Sequence, residues 1–344
     1  MSLTTIEEER AERIHREALL FVAHWDVLLL EVCPRRKLGE THVLKKLQIH
    51  RMKEGGVGAA VTTAGADLPG SQSLRFVLES IDMMNLECDE SNGDIVVATS
   101  ARDISEAKRD GRVAFVLAIE GGRPLEGELA MLRTLHKLGL RCVGLTWNYR
   151  NELADGLGEQ RCLGLSDFGA RAVEEMNKLG IVIDLTHASK RTFNDALECS
   201  KDPAIASHSN PIGVWNHKRN LDDDQIHALA EKNGVVGINF WPDFVGSNPT
   251  LEHILNHIDY VTKLVGVDHV GLGPDYVESE LETSYAEFIG ESSFQRGAFP
   301  SGVEDITKLN NVTRGLVSRG YSDGEIKKIL GENLLRVFRD VIGG

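Results

Sequence analysis

Eight short apolar runs recur along the chain, and each is followed by a polar loop and an amphipathic segment. The runs are continuously hydrophobic and do not alternate with polar residues, which is typical of strands buried on both faces of a parallel sheet. They cover residues 19–30, 57–63, 113–119, 142–147, 181–186, 204–209, 235–240 and 269–275. Eight such strands alternating with helices predict an α/β fold, a closed (β/α)8 TIM barrel, for this 344-residue chain.

Helical periodicity fills the intervals between these runs. It is clearest at residues 125–138, 166–179, 222–232, 251–265 and 322–341. The last of these begins with a capping box, in which Ser322 and Glu325 bond backbone N–H groups of the first turn. A doubly wound open sheet is the competing architecture. The glycine-rich segment 55–58 argues against it, because this segment precedes a strand, whereas a dinucleotide-binding turn follows one.

We predict a single domain over residues 18–344, preceded by a charged N-terminal extension over residues 1–17. Residues 7–16 are too densely charged to be the apolar part of a secretory signal. Residues 278–301 are the longest stretch without periodicity and follow the eighth predicted strand. They are interpreted either as a lid over a site at that end of the barrel or as an ordered surface excursion.

The charge balance excludes several classes of partner. Lys and Arg number 38 and Asp and Glu number 52, which gives a net charge of −14. Neither a nucleic-acid nor an anionic-membrane partner is expected, since both require clustered positive charge. No run of 18 apolar residues occurs, so no membrane-spanning helix is predicted. The five cysteines form no CxxC pair, which indicates reduced thiols and a cytoplasmic location.

Six side chains of the metal-ligating type lie at the C-terminal ends of predicted strands. They are His24, Asp26, Glu120, His187, His208 and Asp275. A (β/α)8 barrel brings these strand ends onto one rim, where barrel enzymes build their active sites. Imidazole and carboxylate ligands suit Zn²⁺ or another borderline divalent ion. The set therefore predicts a metal site at the C-terminal rim.

Five ligands are too many for one tetrahedral ion that keeps an open position. Two divalent ions that share a carboxylate fit the number better, and Glu120 is the natural bridge. Each residue also has a structural interpretation on its own. A strand-end histidine can be a hydrogen-bonded core residue. Asp26 can cap a helix, Asp275 can cap the turn that follows it, and Glu120 can pair with an arginine. Their common position at strand ends favours the metal.

Two loops carry candidate substrate-binding residues. Arg219 follows the sixth predicted strand together with His217 and Lys218, and a guanidinium can hold a carboxylate through two parallel hydrogen bonds. The alternative is a solvated basic loop. Trp147 and Asn148 follow the fourth predicted strand and would shape a pocket on the same rim, the alternative being an ordinary connecting loop.

The remaining histidines are interpreted as residues that bind no metal. His257 lies within a helical pattern and His269 at the start of a strand, on the opposite rim, so both are predicted to be structural. Surface positions are predicted for the other six, namely His15, His42, His50, His136, His227 and His253.

A series of motifs extends in order from about residue 18 to the C-terminus. It comprises HWD at 24–26, GGVGAAV at 55–61, IEGGRPLEG at 119–127, LGLRCVGLTWNYRNELADG at 138–156, LGIVIDLTH at 179–187, SHSN at 207–210, HKRNLDD at 217–223 and VGLGPDY at 270–276. As a set these motifs resemble the membrane (renal) dipeptidase family of the amidohydrolase superfamily, in a bacterial-type form. The resemblance implies a (β/α)8 barrel with a binuclear zinc centre.

The resemblance also divides the ligands between the two zinc ions. His24 and Asp26 would bind one ion, His187 and His208 would bind the other, and Glu120 would bridge both. This division agrees with the roles that the chemistry of the side chains suggests.

Hydrolysis of short dipeptides is the activity that the resemblance implies. A hydroxide bridging the two ions would attack the scissile carbonyl, and Asp275 would pass the proton of the attacking water to the leaving amine. Arg219 would hold the carboxylate of the substrate. The family tolerates a D-residue at the C-terminal position, so L,D-dipeptides are candidate substrates. A homodimer is compatible with the resemblance.

Two positions depart from the family's pattern. Val22 and Ala23 stand where family members often have Asp-Gly before the first ligand. Trp147 stands where the renal-type enzymes have a histidine that approaches the scissile carbonyl, and an indole N–H can only donate. Two alternatives therefore stay open: a binuclear amidohydrolase acting on another amide or a lactone, such as an N-acyl amino acid, and an inactive relative that serves as a binding module.

Overall fold

Nine parallel strands form the centre of the molecule. The computed structural model describes residues 3–67, 72–277 and 299–344. Most of the segment interpreted as a lid or a surface excursion, residues 278–298, lies outside the described residues. The strands are β1 (Leu20–Trp25), β2 (Val57–Ala66), β3 (Ile95–Val97), β4 (Val113–Glu120), β5 (Leu140–Gly144), β6 (Val182–Asp184), β7 (Ala204–Ala206), β8 (Val235–Ile238) and β9 (Val270–Leu272).

Eight of these strands close into a barrel. β1 pairs with β2 on one side and with β9 on the other, and β4 to β9 follow one another in chain order. The β2–β4 ladder, which runs from Ala59↔Ala114 to Ala66↔Glu120, closes the ring. The predicted (β/α)8 barrel is thus confirmed, and the open doubly wound sheet is ruled out by this closure.

The ninth strand, β3, is absent from the predicted runs. It pairs with the first half of β4, from Ile95↔Val113 to Val97↔Phe115. β5 pairs with the second half of β4, from Leu117 onward. β3 therefore lies beside β4, next to β5, and is not one of the eight strands of the ring. The residues of β3 after Ile95 are only half-buried, whereas the equally short β6, β7 and β9 are buried throughout and lie within longer apolar runs.

The first apolar run is a strand only in its first half. β1 ends at Trp25, and Leu28–Val32 forms a π-helical turn that leads into the helix Cys33–Lys37. The prediction of a strand up to residue 30 is wrong, because these further apolar residues are buried beside β2 and not within the sheet. The strands β5 to β9 likewise end two or three residues before the predicted runs do. Several ligand-type residues therefore lie in loops directly after the strands.

Fifteen α-helices of the described residues surround the barrel. They are α1 (Thr5–Glu17), α2 (Cys33–Lys37), α3 (Val43–Leu47), α4 (Ile49–Glu54), α5 (Ser73–Glu90), α6 (Ala101–Arg109), α7 (Leu129–Lys137), α8 (Asp167–Leu179), α9 (Lys190–Cys199), α10 (Asp223–Glu231), α11 (Pro242–Val245), α12 (Leu251–Val265), α13 (Asn310–Ser318), α14 (Asp323–Lys327) and α15 (Asn333–Ile342). The predicted helices before residue 266 are found as α7, α8, α10 and α12.

The helix predicted over residues 322–341 is interrupted. It begins with the expected capping box at Ser322 and Glu325, but a π-helical turn, Lys328–Glu332, separates α14 from α15. A Cβ atom added to Gly331 would lie 2.2 Å from the carbonyl oxygen of Leu19. The glycine lets this turn approach the start of β1, so that the last helices cover the N-terminal side of the barrel.

The N-terminal segment forms α1 and packs against α13. Ala11 and Ile14 are buried in the main core. His15, predicted at the surface, is half-buried, because its ring lies between the hydroxyl of Thr313 at 2.8 Å and the carbonyl oxygen of Gly55 at 3.1 Å. The boundary between an extension and a domain at residue 17 stays a prediction.

His257 is a structural residue of α12, as predicted, and it gives the fold a pH dependence. Its Nε2 donates to the carbonyl oxygen of Val245 at 3.0 Å, and the ring is fully buried. Burial lowers the pKa of His257 to about 4, against an ordinary value of 6.5.

The unfolded chain therefore binds a proton at His257 that the folded chain excludes between pH 6.5 and 4. The free energy of unfolding is expected to fall by about 3 kcal/mol as the pH is lowered through this window. Above pH 6.5 the neutral His257 makes its full contribution to stability. Urea unfolding of His257→Gln, which keeps a side-chain donor but does not titrate, should show a shallower loss of stability. An unchanged pH slope in the variant would contradict the prediction.

All five cysteines lie in the described part of the chain and are free thiols, with Cys162 and Cys199 exposed. Among the helices of the described ranges, none combines the length and the apolar character needed to cross a membrane.

Candidate metal centre

The six ligand-type residues meet at the C-terminal ends of the barrel strands, here called the C-terminal rim. They lie at the ends of five strands: His24 in β1 and Asp26 directly after it, Glu120 in β4, His187 in the loop after β6, His208 in the loop after β7, and Asp275 in the loop after β9. The closed ring brings together residues that are up to 251 positions apart (275 − 24). The rim predicted from sequence is therefore formed.

Two of these residues have left-handed backbone conformations. The φ angle is +65° at His187 and +58° at Asp275. A non-glycine residue in this region costs about 1–3 kcal/mol, and such residues cluster at functional sites where the surrounding structure holds them. Gly273 allows a further close approach, since a Cβ atom there would lie 1.8 Å from the carbonyl oxygen of Ser207. The loops after β7 and β9 can therefore converge.

Glu120 lies at the centre of one cluster of ligand atoms. Its Oε1 is 3.0 Å from Nε2 of His187 and 3.3 Å from Nε2 of His208. The two Nε2 atoms are 3.1 Å apart. A tetrahedral zinc site with bonds of about 2.0 Å separates its ligand atoms by about 3.3 Å. The spacing of these three atoms therefore fits a small divalent ion.

Hydrogen bonds on the far side of each ring determine which nitrogen carries the proton. Nδ1 of His187 is 3.0 Å from the amide oxygen of Asn148, which can only accept, so this nitrogen donates. Nδ1 of His208 is 2.8 Å from the hydroxyl of Ser207. Burial lowers the pKa of both rings well below 6.5, so they are neutral. Neutral rings bonded through Nδ1 present Nε2 lone pairs, the form that binds metal.

A second cluster lies around His24. Its Nε2 is 3.4 Å from Oδ1 of Asp26 and 3.7 Å from Oδ1 of Asp275. Nε2 of His24 and Oδ1 of Asp26 are buried and have no hydrogen-bond partner. Unsatisfied buried polar atoms are costly, and here they face each other. Ligand atoms of His24, Glu120 and His208 also lie within 4.8 Å of one another, so the two clusters are continuous.

The carboxylates give the centre an excess of negative charge. Asp26, Glu120 and Asp275 meet here around His24. Burial raises the pKa of Glu120 well above its usual value and that of Asp275 to about 7. Burial disfavours charge on His24 too, but Asp26 and Glu120 outweigh this and raise its pKa to about 10. Protons held in this way are those that bound divalent cations would replace.

Arg219 reaches the centre from the loop after β7. The residue is 5% exposed, and its guanidinium donates to the hydroxyl of Ser209 at 3.3 Å and to the carbonyl oxygen of His208 at 3.2 Å. Its Nε atom is buried without a partner. By contrast, Lys218 is exposed and His217 is half-buried against Phe244. Of the basic triplet predicted from sequence, Arg219 is thus the residue with an enclosed guanidinium.

Trp147 and Asn148 lie in the loop after β5, on the same rim. The indole of Trp147 is half-buried, with its centroid 6.4 Å from that of the His187 ring. Its backbone N–H donates to Asp67 at 3.3 Å, and Asn151 donates to the same carboxylate at 2.7 Å. The buried carboxylate of Asp67 therefore anchors this loop, and Asn148 contacts a ligand-type ring.

Three polar residues at the site have no role in the sequence prediction. Asp184 bonds Ser207, Ser207 bonds His208, and Asn239 donates to Oδ2 of Asp275 at 3.1 Å. Asp184 and Ser207 stand inside motifs quoted above, and Asn239 inside the apolar run 235–240. The contact between Asp184 and Ser207 spans 23 positions and that between Asn239 and Asp275 spans 36, so only the closed barrel reveals these two contacts.

A family comparison covers nearly the whole chain. The sequence model described as membrane dipeptidase (peptidase family M19) matches residues 8–342. Among solved structures, an amidohydrolase from Pseudomonas aeruginosa is 26% identical with a TM-score of 0.85, over 97% of this chain and 99% of that one. A dipeptidase of family M19 is 26% identical with a TM-score of 0.81, over 95% of this chain and 99% of that one.

A third structure carries a bound ligand. It is a metallopeptidase from Rhodobacter sphaeroides liganded with a phosphinate mimic of the dipeptide L-Ala-D-Ala. It is 25% identical to this chain with a TM-score of 0.79, over 94% of this chain and 99% of the other. The full length of the described barrel therefore has counterparts of the same architecture.

Proposed function

Because the chain belongs to the membrane dipeptidase family, we propose that it is a metal-dependent dipeptidase. Two divalent ions, expected to be Zn²⁺, would be held at the C-terminal rim. Their proposed ligands are His24, Asp26, Glu120, His187 and His208. A cytoplasmic location completes the proposal and is supported by the free thiols.

The spacing around Glu120 is the observation that supports the metal most strongly. Three electron-pair donors, from Glu120, His187 and His208, lie 3.0–3.3 Å apart. One proton could relieve the repulsion between only two of them, whereas a divalent cation would satisfy all three. The unpartnered atoms of His24 and Asp26 support a second ion beside the first.

When bound, the ions would lower the pKa of a water molecule between them and polarise the scissile carbonyl. The carboxyl of Asp275 is placed to handle the proton of that water. Its Oδ2 is held by Asn239, and a carboxyl group positioned in this way can take a proton and give it up again. We assign to Asp275 the transfer of this proton to the leaving amine.

Arg219 would fix the C-terminal carboxylate of the substrate. Its buried Nε has no partner, and a carboxylate is the group that a guanidinium binds most specifically. This contact selects substrates with a free C-terminus. A D-residue at that end is part of the proposal, and the dipeptide mimic in the Rhodobacter relative supports it. Trp147 and Asn148 would form the pocket wall beside the scissile bond.

Elemental analysis of protein purified without chelator, combined with a substrate panel, tests the proposal. The panel contains L,L-dipeptides, L,D-dipeptides, N-acyl amino acids and lactones. About two metal equivalents and turnover of dipeptides are expected. If the protein contains metal but hydrolyses only the N-acyl amino acids or the lactones, it is a related hydrolase and not a dipeptidase. Protein that binds no metal after reconstitution would overturn the proposal and favour a binding module.

Arg219→Met is expected to reduce kcat/KM for dipeptides by about 30-fold or more, mainly through KM. Loss of one partner of a buried charge pair costs about 2–5 kcal/mol, and 1.4 kcal/mol is a factor of ten. Steady-state kinetics on dipeptides and on dipeptide amides would measure the effect. The amides, which lack the carboxylate, should be affected little.

Lys218→Met is the matched control, because Lys218 is the exposed neighbour with the same charge. It should leave kcat/KM unchanged. An equal loss on dipeptides and amides in Arg219→Met, with normal metal content, would show that Arg219 does not bind the substrate carboxylate.

A further inference from the structure

A chain of buried hydrogen bonds runs from the end of β6 to the ring of His208. Oδ1 of Asp184 accepts the backbone N–H groups of Thr186 and Ser207, each at 3.0 Å. Oδ2 of Asp184 bonds the hydroxyl of Ser207, which in turn lies 2.8 Å from Nδ1 of His208. Asp184 is 6% exposed, and Ser207 and His208 are 1% exposed, so water does not compete for these bonds.

The direction of each bond follows from the chemistry of Asp184. Oδ1 of Asp184 accepts two backbone N–H groups and Oδ2 accepts from Ser207, so the Ser207 hydroxyl donates its single proton to Asp184. The oxygen of Ser207 then has only lone pairs left for His208. Nδ1 of His208 must therefore donate, and Nε2 is left with the lone pair that faces Glu120.

The chain also places a carboxyl group behind the ring of His208. No salt bridge to Asp184 is found among the described residues, and its bonds are all to neutral donors. A carboxylate behind a ligating imidazole raises the basicity of the ring and fixes its orientation. Here the carboxyl group of Asp184 acts on the ring of His208 through the hydroxyl of Ser207, which lies between them.

We infer that Asp184 and Ser207 are positioning residues that hold His208 in its metal-binding tautomer before any ion arrives. This inference rests on the proposed metal centre and assigns to it two residues outside the ligand set. It accounts for the buried carboxylate at the end of β6, whose hydrogen bonds are to Thr186 and Ser207 and not to a ligand-type residue.

Replacing Ser207 and replacing Asp184 are expected to affect the tautomer of His208 differently. Ser207→Ala removes the partner of Nδ1, so His208 loses its tautomer preference. Asp184→Asn keeps the shape but replaces the acceptor at Oδ2 by an N–H₂ donor. The Ser207 proton is then free to point at Nδ1 of His208, which favours the proton on Nε2 and blocks the ligand atom. The isosteric Asp184→Asn is therefore expected to do more harm than the truncation.

Zinc affinity measured by competition with a fluorescent chelator tests the inference. One of the two zinc equivalents is expected to bind about 10-fold more weakly in Ser207→Ala and up to about 100-fold more weakly in Asp184→Asn. Ser80→Ala is the matched control, since Ser80 is a buried serine whose hydroxyl bonds are to Phe76 and Cys33 and not to a ligand-type residue. It should retain the affinity of the unaltered protein.

NMR of the metal-free protein with ¹⁵N-labelled histidine gives a readout that needs no activity. The proton of His208 should be on Nδ1 in the unaltered chain and should shift towards Nε2 in Asp184→Asn. Zinc affinities within twofold of Ser80→Ala in both variants, or a proton on Nε2 in the unaltered protein, would overturn the inference. If the unaltered protein binds no zinc at all, the proposed function fails instead, so the two failures are distinguishable.

Discussion

Glu120→Gln is expected to lower kcat/KM by roughly 10³-fold and to reduce the metal content from about two equivalents to one or fewer. The charge of Glu120 lies 3.0–3.3 Å from two imidazole nitrogens, and a neutral amide presents a donor or a weaker acceptor there. Lewis-acid stabilisation by a metal is worth several kcal/mol, and about 4 kcal/mol corresponds to a thousandfold in rate. Elemental analysis and steady-state kinetics on the same preparation measure both effects.

Glu152→Gln makes the same chemical change on an exposed residue of the β5 loop and should alter neither quantity. Two retained equivalents of metal in Glu120→Gln would argue against a bridging role. Activity that survives the loss of metal would argue against the mechanism as a whole.

Asp275→Asn is expected to lower kcat by about 10²–10⁴-fold while leaving the metal content and KM close to those of the unaltered protein. This is the range that a positioned general acid or base contributes. The amide fills the same space and can still accept from Asn239, so the loop after β9 should keep its conformation. Asp243→Asn, an exposed carboxylate on the same rim, is the control.

The same variant distinguishes two roles of Asp275. Its Oδ1 is 3.7 Å from Nε2 of His24, and the two residues form a candidate ligand group with Asp26. A proton carrier and a metal ligand are therefore both compatible with its position. Loss of one metal equivalent in Asp275→Asn would identify Asp275 as a ligand and remove it from the proton transfer.

The closed barrel could be predicted from sequence because both faces of its strands are buried. This burial produces continuous apolar runs such as 57–63 and 113–119, which coincide with β2 and β4. The prediction was wrong where apolar residues are buried outside the sheet, as in Leu28–Val32. Hydrophobicity reports burial and does not distinguish a strand from a helical turn that packs on one. β3 is half-buried at two of its three residues and therefore produces no long apolar run.

The ligand-type residues could be predicted because their positions depend only on strand order. Glu120, His187, His208 and Asp275 stand at or next to the end of an apolar run, and His24 and Asp26 stand inside the first run, where β1 ends. The barrel carries all strand ends of this kind to one rim. Asp184, Ser207 and Asn239 act through bonds to particular atoms of other residues. Those bonds depend on the register of β6, β7 and β8 and on side-chain torsions, which no spacing along the chain records.

The pairing of the first strand with the last has a consequence for the synthesis of this protein. β1 meets β9 at Val22↔Leu272, so His24 and Asp275 come together only after the ribosome has released nearly all of the chain. A nascent chain that lacks β9 has the histidines but not the proton carrier. The centre is thus expected to become competent to hydrolyse a peptide only in the finished polypeptide, and any truncation before residue 270 should be inert.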